Sequence, residues 1–411
     1  MMKPTLIALL LASTALSAQT APPIRLINAP DASSKPVLGS VAAVRQLPDG
    51  SLLANDIQNR QLLLLDPSLA NVSIVADSTS GGANSYGIRP GGIIPYLGDS
   101  TLFIDPAGLS MFVIDPTGKI ARVASVPRSQ DALTLGSNLQ GLPALDAKAR
   151  IVYRSGFGRI APAPRTAGGP ALGLPDFPDS AALVRVDLTS RKLDTAAFFK
   201  IPKVKMNVTQ TERGMSMTNE INPLPIVDEW AVLADGSITV ASKVPFDWQR
   251  LSDEDKTAVI DSARTRMEKA RSASAAAGPG AGGGRGAAEG MIVMNFSTGG
   301  DGARTSSAAG AVQNVPPLAF VSINEMPDYR PAFTNGAARG DADGNLWVRT
   351  SAVRAGSVGG GPVYDVINRK GEVVDRLQVP AGRQIIGFGK GGVVYMQARD
   401  DKAAWIERTH R

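Results

Sequence analysis

The stretch 339–380, RGDADGNLWVRTSAVRAGSVGGGPVYDVINRKGEVVDRLQVP, constrains the fold more than any other part of the chain. Asp343-Gly344-Asn345 is a turn signature, and Leu346 to Val348 is a short apolar run behind it. A glycine-rich loop follows, then Val363 to Asn368, a second turn at Lys370-Gly371, and Val373 to Val379. The spacing predicts two hairpins, which make one four-stranded antiparallel sheet. Cruder copies of this pattern recur along the chain. Self-similarity at a period of about forty residues predicts an all-β fold, a β-propeller of four-stranded antiparallel blades.

The first copy is 41–77, with its turn at Asp49-Gly50 and strands at Leu62 to Asp66 and Val72 to Ala76. The second is 93–126, with Thr101 to Asp105, Met111 to Asp115, a turn at Thr117-Gly118, and Ile120 to Val126. The third covers about 140–204, with Arg150 to Arg154, Ala182 to Leu188 and Leu193 to Ile201. A fourth starts at Val227 and turns at Asp235-Gly236. Residues 339–380 are the fifth. The sixth, 383–409, has three strands: Gln384 to Phe388, Val393 to Gln397 and Ala404 to Thr409. It lacks a fourth strand, and the N-terminus has a spare one. Six blades are expected, with Ile24 to Ile27 closing the ring as the outer strand of the last, because closure removes open sheet edges. The alternative is seven blades, if Met291 to Phe296 and Leu318 to Ile323 form a blade of their own.

The fourth unit is interrupted by 243–290. Ser252-Asp253-Glu254-Asp255 opens a helix with Ser252 as N-cap and three acids over its positive end. Ile260, Ala263, Met267 and Ala270 form a narrow apolar stripe, and 272–290 is a Gly/Ala-rich linker by composition. The insertion reads as a mobile lid. The propeller itself is expected over 24–410.

Residues 1–18, MMKPTLIALLLASTALSA, have a basic start, an apolar run and small residues at the end. This is the pattern of a secretory signal peptide, too short to span a bilayer. A periplasmic or extracellular protein follows from it, with no lipid anchor and a monomer expected. The net charge of +6 on 411 residues is modest, and the Lys and Arg residues are scattered. That argues against nucleic acid as a partner.

There is no cysteine and only one histidine, His410. Thiol nucleophiles and zinc–thiolate sites are therefore excluded. A Ser-His-Asp triad would need His410, which reads as a frayed terminal residue. Motif look-alikes fail on context. Gly387 to Gly392 fits G-x-G-x-x-G but lies between two strands instead of before a helix. Asp341 to Asn345 has its glycine at the fourth place of a calcium loop instead of the sixth, and Ala352 puts no acid at the twelfth. GAGGGRG at 280–286 lacks the Lys-Ser/Thr of a phosphate loop. Asp228 and Glu229 are adjacent, so a strand would send them to opposite faces, and they read as loop solvation. No catalytic residue, metal site or cofactor is predicted.

The turns LPDGSLLAND, LADGSITVAS and DADGNLWVRT, with FVIDPTGKIARV and DVINRKGEVVDRL, give the chain a family likeness. It resembles the exported bacterial six-bladed propellers with NHL-like or TolB-like repeats, over roughly residues 24–410. The resemblance implies fold and not activity.

Loop lengths point to one face. The 1–2 and 3–4 turns are tight, whereas the long segments are 2–3 loops and blade-to-blade connections. Binding residues concentrate on such loops. The ends of the second strands put Asp56, Asp105, Arg154, Ser242, Arg349 and Gln397 at that rim. Connections add Arg89, Arg128, Arg213 and Arg330, with Glu220 nearby. Guanidinium forks suit carboxylate and phosphate oxygens. The first reading is thus a non-catalytic recognition module for an anionic ligand or protein partner, centred on Arg349 and Arg330. The alternative is a metal-dependent hydrolase of the six-bladed lactonase type, to which Asp56, Asp105 and Glu220 could contribute ligands.

Overall fold

A computed structural model describes residues 22–35, 38–79, 84–87, 91–136, 141–155, 180–200, 205–211, 214–240, 248–276, 319–333, 336–351, 360–400 and 403–411. The leader expected at 1–18, residues 277–290 of the expected linker and the strand expected at Met291 to Phe296 lie outside them. So do Arg89, Arg213 and Ser242.

The chain is a β-propeller of mostly antiparallel four-stranded blades. Five sheets of four or more blade strands are complete among the described residues, where six blades were expected. The first unit is Val41–Gln46, Leu52–Asp56, Gln61–Leu65 and Val72–Asp77, paired in chain order. The second is Gly92–Pro95, Thr101–Asp105, Ser110–Ile114 and Ile120–Ser125. The third is Ala144–Leu145, Ile151–Arg154, Ser180–Val186 and Leu193–Lys200. The fifth is Ala338–Gly340, Leu346–Arg349, Val363–Ile367 and Val373–Gln378, and the sixth is Arg383–Phe388, Val393–Arg399 and Ala404–His410. In the fourth unit only the pair Trp230–Val232 and Ile238–Val240 is described.

The first strand of each unit is innermost. Arg383–Phe388 neighbours Val41–Gln46, which neighbours Gly92–Pro95, and that strand neighbours Ala144–Leu145. Trp230–Val232 likewise neighbours Ala338–Gly340. The predicted turn at Asp235-Gly236 is where the third and fourth units meet, since Ala147 N–H donates to Gly236 O at 3.2 Å. Gly236 has φ +79°, and an added Cβ would lie 2.1 Å from Ala147 N. Only glycine satisfies both conditions.

Strand alternation builds the core between blades instead of around one centre. Leu52 and Ala54 face the sixth unit with Val393 and Tyr395, while Leu53 faces the second with Phe103 and Phe112. Val152, Leu183 and Phe199 pack on Trp230 across the third and fourth units. Outer strands stay wet on one side: Ile74 and Val123 are more than half exposed.

Ring closure differs from expectation. Ala32–Ser33, and not Ile24 to Ile27, is the outer strand of the last sheet, antiparallel to Ala404–His410. Ile24–Leu26 instead runs parallel to Val373–Gln378, as a fifth strand on the neighbouring unit. A two-residue strand carries no hydrophobic pattern to read. Its hold comes from hydrogen bonds: Ser34 N to Ile406 O at 2.7 Å, Ile406 N to Ser34 Oγ at 3.0 Å, and Thr409 Oγ1 to Asn28 O at 2.7 Å. His410 is no frayed tail. It ends the last strand opposite Val393, and its Nδ1 lies 2.8 Å from Asp31 Oδ2.

The segment 205–226 is not a plain connection either. Lys205–Thr211 and Gly214–Ile221 form an antiparallel hairpin that Ala319–Phe320 joins in parallel. The helix Asp253–Ala276 starts with a reciprocal cap, in which Asp255 N donates to Ser252 Oγ and Ser252 N to Asp255 Oδ2. It docks on the turn Ile323–Glu325. Ala263 is buried, and the buried Lys256 pairs with Asp328 at 3.0 Å. Among the described residues no helix is long and apolar enough to cross a membrane.

Candidate functional site

The second strand of each unit rises to the rim where the connections enter. Its last residues therefore meet backbone from the entering connections and the loops that follow. Asp56 is fully buried there. Its Oδ2 accepts from Gly39 N and Asn59 Nδ2, both at 2.8 Å, and its Oδ1 from Ser40 N at 3.0 Å and Asn59 N at 3.2 Å. Asp105 repeats the arrangement one unit on, accepting from Gly87 N and Ala107 N at 3.1 Å each. Gly87 allows the approach, since a Cβ there would fall 2.3 Å from Ala107 Cβ. Both carboxylates are thus spent on fastening loops. Among the described residues no group of three or more His, Asp or Glu could hold a metal ion. Asp56, Asp105 and Glu220 do not fit the metal site that the lactonase alternative implied.

The other predicted residues scatter. Arg128 is held by Asp131, with Nη2 to Oδ2 at 2.5 Å. Tyr153 OH donates to the same Asp131 oxygen at 2.8 Å, and burial raises its phenol pKa above the ordinary value. Gln397 Oε1 accepts from Val41 N at 2.5 Å, bridging the sixth and first units. Arg349 is half-buried, and its N–H donates to Ala337 O at 3.0 Å. Arg330 N donates to Gln249 O at 2.9 Å, which ties the insertion to the connection before the fifth unit. Its Nε is buried with no hydrogen-bond partner. Glu220 sits on the hairpin, opposite Lys205.

Arg154 is the exception among them. It ends Ile151–Arg154 on the face that Val152 turns towards Trp230. It is 6% exposed, and its Nε has no hydrogen-bond partner. Burial lowers its pKa, against the opposing pull of Glu229 and Asp228. Glu229 immediately precedes the innermost strand Trp230–Val232 and is 2% exposed. Its Oε1 accepts from Gly336 N at 2.8 Å and its Oε2 from Ala338 N at 3.2 Å. Burial pushes the Glu229 carboxyl up to about 7, although those N–H groups and Arg154 pull the other way.

Sequence reasoning passed over Glu229 as loop solvation. Separating the two acids leaves Asp228 half-buried, with Lys200 N at 3.3 Å, and sends Glu229 inside beside Arg154. The signal available was position: an acid one residue before a buried tryptophan that starts an inner strand.

No protein-family profile matches the sequence, and no curated protein is similar to it. The fold is similar to a gluconolactonase of Xanthomonas campestris, at 11% identity and TM-score 0.36, covering 96% of this chain and 99% of that one. It is similar also to a calcium-binding protein, regucalcin, of Agrobacterium tumefaciens, at 11% identity and TM-score 0.38, covering 94% and 98%. TolB of Acinetobacter baumannii matches at 10% identity and TM-score 0.33, covering 90% of this chain and 63% of that one. The similar folds include gluconolactonase and regucalcin propellers, whereas the reading from sequence was a non-catalytic recognition module; that reading is not retained. That reading also leaned on the missing His and Cys, but neither is needed for a group that titrates near neutrality, since burial raises the Glu229 carboxyl to about 7. At these identities the likeness extends to the fold and no further.

Proposed function

We propose that the chain is a hydrolase of esters or lactones, acting at the rim between its third and fifth units, with Glu229 as general base and Arg154 as the charge that stabilises the oxyanion. The observation that carries this is a buried carboxyl whose pKa of about 7 sits beside a buried guanidinium with an unpartnered Nε. A base is most useful when its pKa lies near the working pH. Each carboxylate oxygen has two lone pairs, so the donors Gly336 N and Ala338 N leave capacity for a water.

In this reading Glu229 takes a proton from water as the water oxygen bonds to the carbonyl carbon. The carbonyl electron pair moves onto oxygen and lies against Arg154. Collapse of that adduct breaks the bond to the leaving oxygen, which regains the proton from Glu229. A lactone would open to its hydroxy acid. Fixed charge at a dry site is worth more than in water.

Two finer readings accompany this. The pair Trp230–Val232 and Ile238–Val240 is taken as the inner half of a sixth blade, because it stands between Ala147 of the third unit and Ala338–Gly340 of the fifth. Residues 1–18 are taken as an export leader from their sequence pattern. Mass spectrometry of extracytoplasmic material should find a chain starting near Ala18 or Gln19, and retained Met1 would refute export.

The functional test is an assay of purified protein on aliphatic and aromatic lactones and aryl esters. Hydrolysis lost in Glu229→Gln, with the melting temperature kept, is expected. No turnover of any member, or turnover equal in Glu229→Gln, overturns the reading.

A further inference from the structure

On the face opposite the Glu229 rim, a cavity of about 250 Å³ opens between the second and third units. It is a gap in the inter-blade core. Its floor is Leu102, Met111 and Val113, all buried members of that core. A wholly apolar void of this kind forfeits packing contacts along its lining. This one is not wholly apolar, because its mouth carries Arg122 and Arg191.

Among the described residues neither arginine is in an ion pair. Arg191 sits in the turn after the third strand of its unit with φ +57°, and it reaches across to the second unit. Its Nη1 donates to Ser125 O and Val126 O at 3.2 Å, and its Nη2 to Ser125 Oγ at 2.5 Å. Those acceptors are uncharged, so they fix the guanidinium and leave its charge uncompensated. The neighbouring acids are committed elsewhere. Asp187 accepts from Thr189 N and Ser190 N, and Asp194 pairs with Arg150 and Arg185. Arg122 makes no ion pair among the described residues.

An apolar floor under two guanidinium groups outside any described ion pair has one chemical complement. We infer that this cavity binds a small amphipathic carboxylate, its hydrocarbon part on Met111 and Val113 and its carboxylate between Arg122 and Arg191. Guanidinium groups favour carboxylates through paired N–H donors. Pockets of this design orient a mostly apolar ligand with a few polar groups. The site is separate from the proposed hydrolytic rim and does not depend on it.

Calorimetric titration of the whole protein with octanoate, benzoate, octanol and inorganic phosphate tests this. One octanoate or benzoate per chain should bind, with octanol and phosphate at least tenfold weaker. Arg122→Glu is on an exposed strand, so it should fold normally and weaken octanoate at least tenfold. Ala124→Trp fills the cavity and should abolish binding. The inference fails if neither carboxylate binds, if octanol binds as tightly as octanoate, or if Arg122→Glu leaves octanoate affinity unchanged.

Discussion

Asp56 and Arg154 both end a second strand at the same rim, and the chain around them treats their charge in opposite ways. Asp56 is buried under four hydrogen bonds from Gly39, Ser40 and Asn59. Arg154 is buried with an orphan Nε, next to a carboxyl lifted to about 7. In the first unit the entering connection and the following loop close on the strand end, and their N–H groups saturate Asp56. Between the third and fifth units the acid belongs to the connection itself, and the burial that surrounds it is only partly repaid by Gly336 and Ala338. Rim position alone therefore does not make a site. What separates fastening from chemistry is whether the buried charge is satisfied.

The comparison can be broken at either end. Glu229→Gln should lower kcat/KM for any ester substrate by roughly 10³, the scale of losing a general base. Its melting temperature at pH 6 should stay within a few degrees of the parent, and an equal loss of activity and fold would place Glu229 with Asp56. Asp56→Ala should show the reverse. It orphans the backbone N–H groups of half-buried Gly39 and Ser40 and of exposed Asn59, and should cost about 2 kcal/mol by chemical denaturation, with kcat/KM of the folded fraction unchanged. A neutral Asp56→Ala would mean that the loop does not need its fastening.

Arg154→Met should lower kcat by about 10², the usual effect of removing one oxyanion partner. Stability should hold at pH 5, where Glu229 is protonated and no buried charge loses its partner; above pH 7 it should fall, because removing one member of a charged buried pair leaves the other uncompensated. A sharply destabilised Arg154→Met at pH 5 would instead make the pair a structural bridge.

A smaller effect sharpens the contrast through pH. Glu229 has its carboxyl raised from 4.5 to about 7 in the folded chain, so the folded state holds the proton more tightly. That contribution is fully present below pH 4.5 and is lost as pH rises through 7. Urea unfolding should record a fall of about 2 kcal/mol from pH 5 to pH 8 that Glu229→Gln lacks. Asp66 behaves oppositely on the surface: hydrogen bonds from Asn71 and Ser68 hold it at about 2, which adds no slope in this window.

Much of the fold was legible, and physical reasons separate what was from what was not. The turns at Asp49-Gly50, Thr117-Gly118, Asp235-Gly236 and Lys370-Gly371 all carry glycine at positive φ, a local demand written in local residues. The closing strand was assigned to Ile24 to Ile27, because IRLIN has a β pattern and Ala32–Ser33 has none. Pairing there is decided by distant partners such as Ile406 and Arg408. The rim was readable as a list of second-strand ends, and Arg154 was on it. Its partner was not, because nothing within 227–230 announces that Gly336 and Ala338 will close over Glu229 from more than a hundred residues away.

The most direct test of the central claim needs no substrate. With glutamate labelled at the carboxyl carbon, NMR titration of the protein and of Glu229→Gln identifies the Glu229 resonance by its absence in the variant. The account predicts a titration midpoint near 7. A midpoint at the ordinary glutamate value of about 4.5 would contradict it.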